Sequence, residues 1–379
     1  MFGLSDEQAR ARADFRAFAD AHVAPFADGF DREERLPRGV IEETARRGYL
    51  GATLPEAYGG GAMSMVTYGL LNEEIGRGCS SLRSLLTVHG MVAHAVARWG
   101  SKELRARWLA RLAAGERLAA FALTEPDVGS DARAVETSAR PSQGAYVLTG
   151  RKRWVTFGQI ADLFLVFAQC EGRPVALLVE RDTPGLSIEP IKGMLGVRAS
   201  MLAELSFEDC RVPRENLVGR EGFGFSHVAS AALDLGRYTV AWGCVGIAQA
   251  CLEASLAYAG ARRQFGALIK EHQLVRRMLT DMLTDVKAAR LLCLRAGALR
   301  DAGAPEAIME TSVAKYFASG AAARAASDAV QIQGARGCSG ESPVQRFMRD
   351  AKIMEVIEGS TQMQQITIAE YGYQGGGAL

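Results

Sequence analysis

Between Phe223 and Glu358 the chain holds four stretches without proline past their first residue, at 225–259, 270–301, 305–332 and 343–358. Segments of this length with apolar residues at helical spacing are read as helices, and four of them in series suggest an antiparallel four-helix bundle. In the second stretch Leu274, Met278, Met282, Val286, Ala289 and Leu292 form one apolar side. Upstream the character differs. Turn signals stand at Glu125-Pro126-Asp127, Pro141-Ser142-Gln143-Gly144, Gly172-Arg173-Pro174 and Pro184-Gly185. Between them run short β-rich segments at 146–148, 154–156, 163–168, 175–179 and 203–207, the pattern of a small β-barrel or sandwich.

The first 120 residues return to helical spacing. Ser5 and Asp6 ahead of Glu7 mark a helix start, with Phe15, Phe18, Ala19 and Val23 on one side. Pro37 opens a helix through Arg47, and further helices are expected at 63–78, 83–99 and 102–113. The organisation is therefore α+β: a helical domain over 1–120, a β domain over 121–222 and a helical bundle over 223–379. The tail Gly375–Leu379 is expected to be mobile.

Composition narrows the function. The chain is 48% hydrophobic and 23% charged, which fits a globular protein. A formal net charge of +1 and the absence of a basic run give nucleic acid no field to follow. The seven cysteines form no CxxC pair and are read as reduced core thiols of a cytosolic protein. The first fifteen residues lack an apolar signal core, and no run approaches the ~18 apolar residues of a membrane span. His89 and His94 are five apart rather than four, so no metal site is expected. Gly222-Phe223-Gly224 meets His227 where a dinucleotide fingerprint needs glycine, and there is no GxxxxGK. Nothing resembles a nucleophile elbow.

Five motifs remain. Leu123-Thr124-Glu125-Pro126-Asp127-Val128-Gly129-Ser130-Asp131 is a loop rich in donors, suited to a heteroaromatic edge or a phosphate, or simply to joining domains. Arg151-Lys152-Arg153-Trp154-Val155-Thr156 sets a tryptophan on a strand beside a hydroxyl; core packing is the commoner use of such a residue. Arg262-Arg263-Gln264-Phe265-Gly266, followed by His272-Gln273, places two arginines near a glycine turn, for a pyrophosphate or for neutralising a helix end. Gly334-Ala335-Arg336-Gly337-Cys338-Ser339-Gly340 lets a ligand approach backbone, or is only a flexible turn.

The fifth runs from Arg349 to Gln362. It reads as a helix stopping at Gly359, with Ile353, Met354, Val356 and Ile357 on its buried side. Glu355 lies a turn from Lys352 and can pair with it. Glu358 lies one turn beyond Met354 and has no such local partner. An exposed helix-end glutamate is the common case. A carboxylate aimed into apolar surroundings instead gains basicity near neutral pH.

Taken in order, LTEPDVGSD, RKRWVTFG, RRQFG…HQ, AVQIQGARG and DAKIMEVIEGST resemble the acyl-CoA dehydrogenase family over essentially the whole chain. The resemblance implies FAD lying between the β domain and the C-terminal bundle. It implies that Leu123 and Thr124 line the ring, with Trp154 and Thr156 covering its other side. Ser130 is implied at cofactor or pantetheine, and Ser360, Thr361 and Gln362 at cofactor. Arg262, Gln264, Phe265, Gln331 and Gly334 are implied to reach the FAD of a neighbouring subunit, hence a homodimer or homotetramer, and Gln273 and Ala335 are implied at cofactor. Asp234, Arg237 and Ile357 are implied near substrate, and Glu358 as the catalytic base. Three positions depart from the family pattern: Ala335 stands for a glycine, Ile357 for a tyrosine and Ser360 for a threonine.

A narrower likeness lies in Cys79-Ser80-Ser81-Leu82-Arg83-Ser84, Val240–Gly246 and Met354–Ser360. These resemble a secondary-metabolism branch acting on acyl groups tethered to an acyl carrier protein, in assembly of hydroxymalonyl- or methoxymalonyl-type polyketide extender units. The alternatives are an ordinary short- or branched-chain acyl-CoA dehydrogenase and a flavin-dependent oxygenase of the same fold. An electron-acceptor flavoprotein or another acceptor is implied as partner.

Overall fold

The structure, a computed structural model, describes residues 3–374. The glycine tail expected to be mobile, 375–379, lies outside the described residues.

Six helices come first: α1 (Asp6–His22), α2 (Ala27–Glu33), α3 (Arg38–Arg46), α4 (Met65–Gly78), α5 (Ser80–Trp99) and α6 (Lys102–Ala113). Their starts follow sequence signals. Ser5 caps α1 in a reciprocal pair with Gln8, and Ser64 and Ser101 accept from the N–H groups of Thr67 and Leu104. The short α2 was not expected. Pro25 starts a turn there, and Glu34 closes the helix in the left-handed region at φ 53°. The fifth helix starts at Ser80 rather than 83, because the extended Cys79 alone separates it from α4.

Seven strands follow: β1 (Ala119–Ala122), β2 (Ser138–Ser142), β3 (Ala145–Val155), β4 (Leu163–Cys170), β5 (Arg173–Glu180), β6 (Leu186–Pro190) and β7 (Ala203–Pro213). They form one sheet in the order β1-β4-β2-β3-β7-β6, with β5 antiparallel to β4. The sheet folds over its own core, where Phe164 and Val166 of β4 meet Tyr146, Leu148, Leu205 and Phe207. Leu163, Leu165 and Phe167 point the other way and pack with Val92, Val96 and Leu109 of the helical layer. Strand β4 is thus buried on both sides, which its unbroken apolar run requires.

The last part contains α7 (Ser230–Ala261), a hairpin of β8 (Arg263–Gln264) and β9 (Ala267–Leu268), α8 (Gln273–Asp301), α9 (Ala307–Gln333), α10 (Val344–Met354) and α11 (Thr361–Tyr373). With its leading π-helical turn, the helix over Gly224–Ala261 is long and apolar enough to cross a membrane, contrary to expectation, but 72% of its most apolar window is buried in the protein. It is the bundle's central helix. It packs closely on α4, where a Cβ at Gly76 would lie 2.9 Å from Gly243 Cα. Fully buried Glu73 and Glu74 bind Arg12 at 2.7 and 2.9 Å, and Arg290 reaches Glu73 at 2.6 Å, tying α1, α4 and α8 together.

Two bundle expectations are corrected. Leu274 is 75% exposed, so the apolar side of α8 is buried only from Met282 onward. The segment 343–358 is not one helix, since α10 ends at Met354. The cysteines are free, six buried and Cys338 exposed. Among the described residues no cluster of His, Cys, Asp or Glu could hold a metal. His89 is a core residue, bonded through Nε2 to Leu112 O and through Nδ1 to Ala119 N.

Candidate active site

The turn between α10 and α11 is the most constrained feature of the bundle. Glu358 and Gly359 both adopt left-handed backbone, at φ 55° and 84°. For glutamate that conformation costs about 1 kcal/mol or more and persists only where the surroundings impose it. Here they do. Arg237 Nε donates to Glu358 O at 3.3 Å, Lys315 Nζ to Gly359 O at 2.8 Å, and Gln364 Nε2 to both carbonyls at 3.3 Å. Thr361 closes the turn by donating its N–H to Glu355 O at 2.9 Å, and Ser360 caps α11. Glu355 pairs with Lys352 at 2.9 Å, as expected from their spacing.

Glu358 therefore reaches its position from a turn, not from a helical side. Val356, expected to be buried, is 58% exposed, because the turn swings it outward. Ile357 is half-buried against the core. The Glu358 carboxylate packs on Gly236 of α7, which also faces Met91 of α5, and its Oε2 is buried without a hydrogen-bond partner among the described residues. Burial pushes its pKa up to about 7, against the pull of Arg237, Lys315 and Arg83. A carboxylate held near neutrality with a free lone pair can accept a proton.

A second constellation lies on the sheet. Lys152, fully buried in β3, binds Leu123 O at 3.0 Å and Glu125 Oε1 at 2.6 Å. Arg153 N donates to Thr124 O at 2.9 Å. Glu125 also accepts from the N–H groups of Glu136 and Thr137 at 2.6 and 2.9 Å. Burial would raise the Glu125 carboxyl, but these bonds and Lys152 hold it below its ordinary value. Burial also pulls Lys152 down to about 8, with Glu125 opposing. The 123–128 loop is thus pinned to β3. Next to it Trp154, at φ 61°, is 44% exposed, so the expectation of core packing is corrected. Leu123 is buried, Thr124 and Thr156 are half-buried, and Ser130 is exposed.

The loop after β6 joins the two constellations. Phe157 N, next to Thr156, donates to Ser200 O at 2.8 Å. Ser200 Oγ bonds Ser84 Oγ of α5 at 2.8 Å, and Val197 N donates to Asp350 of α10 at 2.6 Å. The helix leading to Glu358 is thereby fixed to the strand carrying Trp154. Asp234 on α7 has its Oδ1 in an ion pair with Arg300 at 2.6 Å.

The remaining motif residues lie elsewhere on the surface. Arg262 and Ala335 line one open cleft of about 460 Å³ with Tyr258, Gln333 and Arg336. The hairpin tip presents Phe265 at φ 52° and 97% exposed. Gln264, Gln273, Gln331, Gly334 and Gln362 are exposed. Sequence reasoning missed Lys152, Gly236, Lys315 and Gln364. The side chains of Lys152 and Lys315 follow no local pattern, and their partners are 27 and 44 residues away.

Comparison with known proteins agrees along the whole chain. Family models described as the N-terminal, middle and C-terminal domains of acyl-CoA dehydrogenase match residues 5–116, 120–210 and 222–372. An acyl-CoA dehydrogenase of Bacillus subtilis is 38% identical, covering 97% of this chain and 98% of its own. The mitochondrial short-chain specific acyl-CoA dehydrogenase of Rattus norvegicus is 36% identical, covering 97% and 90%. The solved structure of FkbI, described as serving biosynthesis of a methoxymalonyl extender unit of the Fk520 polyketide, superposes with a TM-score of 0.88 at 33% identity, covering 96% and 99%.

Proposed function

The chain belongs to the acyl-CoA dehydrogenase family of FAD-dependent oxidoreductases, and on that premise we propose that it oxidises a short, polar acyl thioester carried on an acyl carrier protein. The product class is a hydroxymalonyl-type polyketide extender unit, reached when Cβ is a hydrated aldehyde, so that loss of the α-proton and the β-hydride leaves the enol form of the malonyl acid; the setting is cytosolic. One observation carries the chemistry: Glu358 Oε2 is buried, unpartnered and held near neutral pKa.

The residues fit FAD. The exposed Trp154 indole beside a pinned, donor-bearing loop suits a planar ring, with Thr156 on the Trp154 side and Leu123, Thr124 and Ser130 along the loop. Ser360, Thr361 and Gln362 extend the site from the start of α11. Arg262, Gln264, Phe265, Gln331 and Gly334 are assigned to the FAD of a neighbouring subunit in a homodimer or homotetramer, with Gln273 and Ala335 also at cofactor; the exposed Phe265 tip supports that arrangement. The division at 120/121 and 222/223 is taken as the domain boundaries. Bound FAD supplies the acceptor for the hydride leaving the substrate Cβ.

The protein's own part is to bind, orient and move one proton. Glu358 removes the α-proton, and its carboxylate becomes neutral as the Cα–Cβ double bond forms. The thioester oxygen gains charge in that step, and the backbone N–H of Glu358 donates to it. Such a donor can contribute about 3 kcal/mol. Arg237, Lys315 and Gln364 keep the turn rigid, so the base waits in place. Arg237, Asp234, Ser130 and Ile357 are assigned to the substrate side. The electrons pass on to an electron-transferring flavoprotein.

The carrier-bound substrate is supported by the likeness to FkbI and by the sequence likeness at 79–84. The second reading, α,β-desaturation of an ordinary short-chain acyl-CoA, is favoured by the Bacillus subtilis and Rattus norvegicus relatives. Anaerobic flavin bleaching with a panel of carrier-tethered and CoA-tethered acyl groups decides between them. Faster bleaching by butyryl-CoA and isobutyryl-CoA than by a short 2-hydroxyacyl carrier protein rejects the first reading.

A further inference from the structure

Three exposed arginines rest on the rings of one aromatic cluster. Arg98, near the end of α5, lies 5.5 Å from the Trp99 ring centroid. Arg220 lies 3.9 Å from that of Phe223, and Arg133 lies 5.3 Å from that of Phe225. The cluster is continuous. Phe223 and His227 stack with centroids 3.9 Å apart, and Trp99 meets His227 edge-on at 5.2 Å. Gly219 N donates to Trp99 O at 2.9 Å, which joins the end of α5 to the segment carrying Arg220. The rings are half-buried, so the guanidinium groups are held on a firm base. Among the described residues none of the three arginines pairs with an acid. Two acids of the same segments are already taken: Glu221 by Arg173 and Tyr146, each at 2.8 Å, and Asp234 by Arg300 at 2.6 Å.

The patch borders the residues assigned to the substrate side. Arg133 stands three residues after Ser130 on the same loop, and His227 stands seven before Asp234 in the π-helical turn that leads α7. His94, one turn before Arg98, feels the charges of Arg98, Arg300 and Asp234 together, so Arg98 lies close to Asp234. A pantetheine arm joins its carrier protein through a phosphodiester. With the thioester at Glu358 and the arm passing Asp234, the carrier surface around that phosphodiester has to rest beside this patch. Arginines and aromatic rings are the side chains that dominate protein interfaces, and a ring under a guanidinium offsets part of its desolvation.

We infer that Arg98, Arg133 and Arg220, backed by Trp99, Phe225 and Phe223, form the docking surface for an acidic face of the carrier protein. This rests on the carrier-bound reading of the proposed function and names where that partner sits. Charge complementarity carries it: three unanswered cations border the entrance, and carboxylates flanking the phosphodiester supply their counter-charges. CoA brings phosphates but no protein face, and a free pantetheine thioester brings neither.

The test uses the full-length FAD-loaded enzyme and one acyl group offered on pantetheine, on CoA and on a carrier protein. Stopped-flow flavin reduction over a concentration series gives Kd and the limiting rate for each. Combined Arg98→Glu, Arg133→Glu and Arg220→Glu is expected to raise Kd for the carrier-bound substrate about 10- to 100-fold, with its limiting rate and the pantetheine thioester unaffected. Added salt should weaken carrier binding in wild type and do so far less in the variant. Should the triple variant lose its fold or flavin, the single variants decide, each expected to raise carrier Kd about 3- to 10-fold. An unchanged carrier Kd overturns the inference alone. So does an equal loss for CoA and carrier, which would make these arginines readers of a phosphate. Slowing confined to reoxidation by the acceptor flavoprotein assigns the surface to that partner instead and also overturns it. Reduction of wild type by the CoA thioester but not by the carrier thioester sinks the carrier-bound reading as well.

Discussion

Glu358 and Gly236 are packed so closely that a methyl group at 236 would lie 2.7 Å from the Glu358 Cδ, and 2.9 Å from Met91 Sδ behind it. The carboxylate position is therefore fixed by an absent side chain on a different helix. Gly236→Ala is expected to push the carboxylate off its site while α7 stays helical. Displacement by about 1 Å costs roughly 100-fold in rate. Stopped-flow flavin reduction should show that loss with flavin content unchanged. A wild-type rate would mean that the carboxylate has room to spare.

Glu358→Gln keeps the shape of the side chain and removes its basicity. It is expected to leave FAD bound and abolish flavin reduction by substrate. Wild-type-like reduction in this variant would strip Glu358 of the role of base.

The raised pKa of Glu358 gives two pH effects. Activity needs the ionised form, so kcat/KM should rise with pH through about 7. Stability runs the other way. The folded carboxyl holds its proton up to about 7, whereas the unfolded one releases it near 4.5, so folding free energy falls as pH rises across that window. Asp350, pushed up to about 6 by burial, adds to the same trend over the lower part of the window. Glu358→Gln removes its share. The variant should match wild type below about pH 4.5 and exceed it by about 3 kcal/mol above pH 7. Denaturant titrations at pH 5 and 8 measure the difference; a gain at pH 5 equal to that at pH 8 would contradict it.

Lys152→Met leaves the Glu125 carboxylate buried without its cation. Breaking such a pair costs about 3–5 kcal/mol. Thermal unfolding should show the loss, and freed loop 123–128 should release FAD more readily. Lys152→Met combined with Glu125→Leu should recover only part of the stability, because the Glu136 and Thr137 N–H groups lose their acceptor, and should not recover flavin retention, because Leu123 O stays unpinned. Full flavin retention in the single variant would show that the loop needs no anchor.

Arg262 lines the outer cleft beside Ala335 and Arg336, next to the exposed Phe265 hairpin. Arg262→Ala is expected to weaken FAD retention and subunit association together, read by flavin content and sedimentation. Unchanged flavin content would misplace the cross-subunit contact.

Much of the secondary structure was legible because it rests on neighbours in sequence. Ser5 starts a helix that begins where the cap stands, and the helix expected over 102–113 is found there. The apolar run over 163–168 announced the strand β4, and the fold buried it on both sides. The short strands β1, β2 and β6 were not legible, since Ala119–Ala122, Ser138–Ser142 and Leu186–Pro190 carry little β-branched or aromatic signal and exist through their partners. Glu358 was singled out correctly as lacking a local partner, but on a helical side that does not exist. The turn that carries it is built from Arg237, Lys315 and Gln364, the first two more than 40 residues away.

The sequence by itself determined the helical–β–helical order, the helix starts and the motifs that carry the family likeness, because these depend on residue type and short-range spacing. Only the tertiary structure decided that Trp154 faces outward, that Lys152 anchors the loop beside it, and that Arg83 lies buried with its guanidinium on Thr87 and Met354. Those facts follow from which distant backbone and side chains meet. Burial and charge pairing are properties of the assembled fold, not of any stretch of chain.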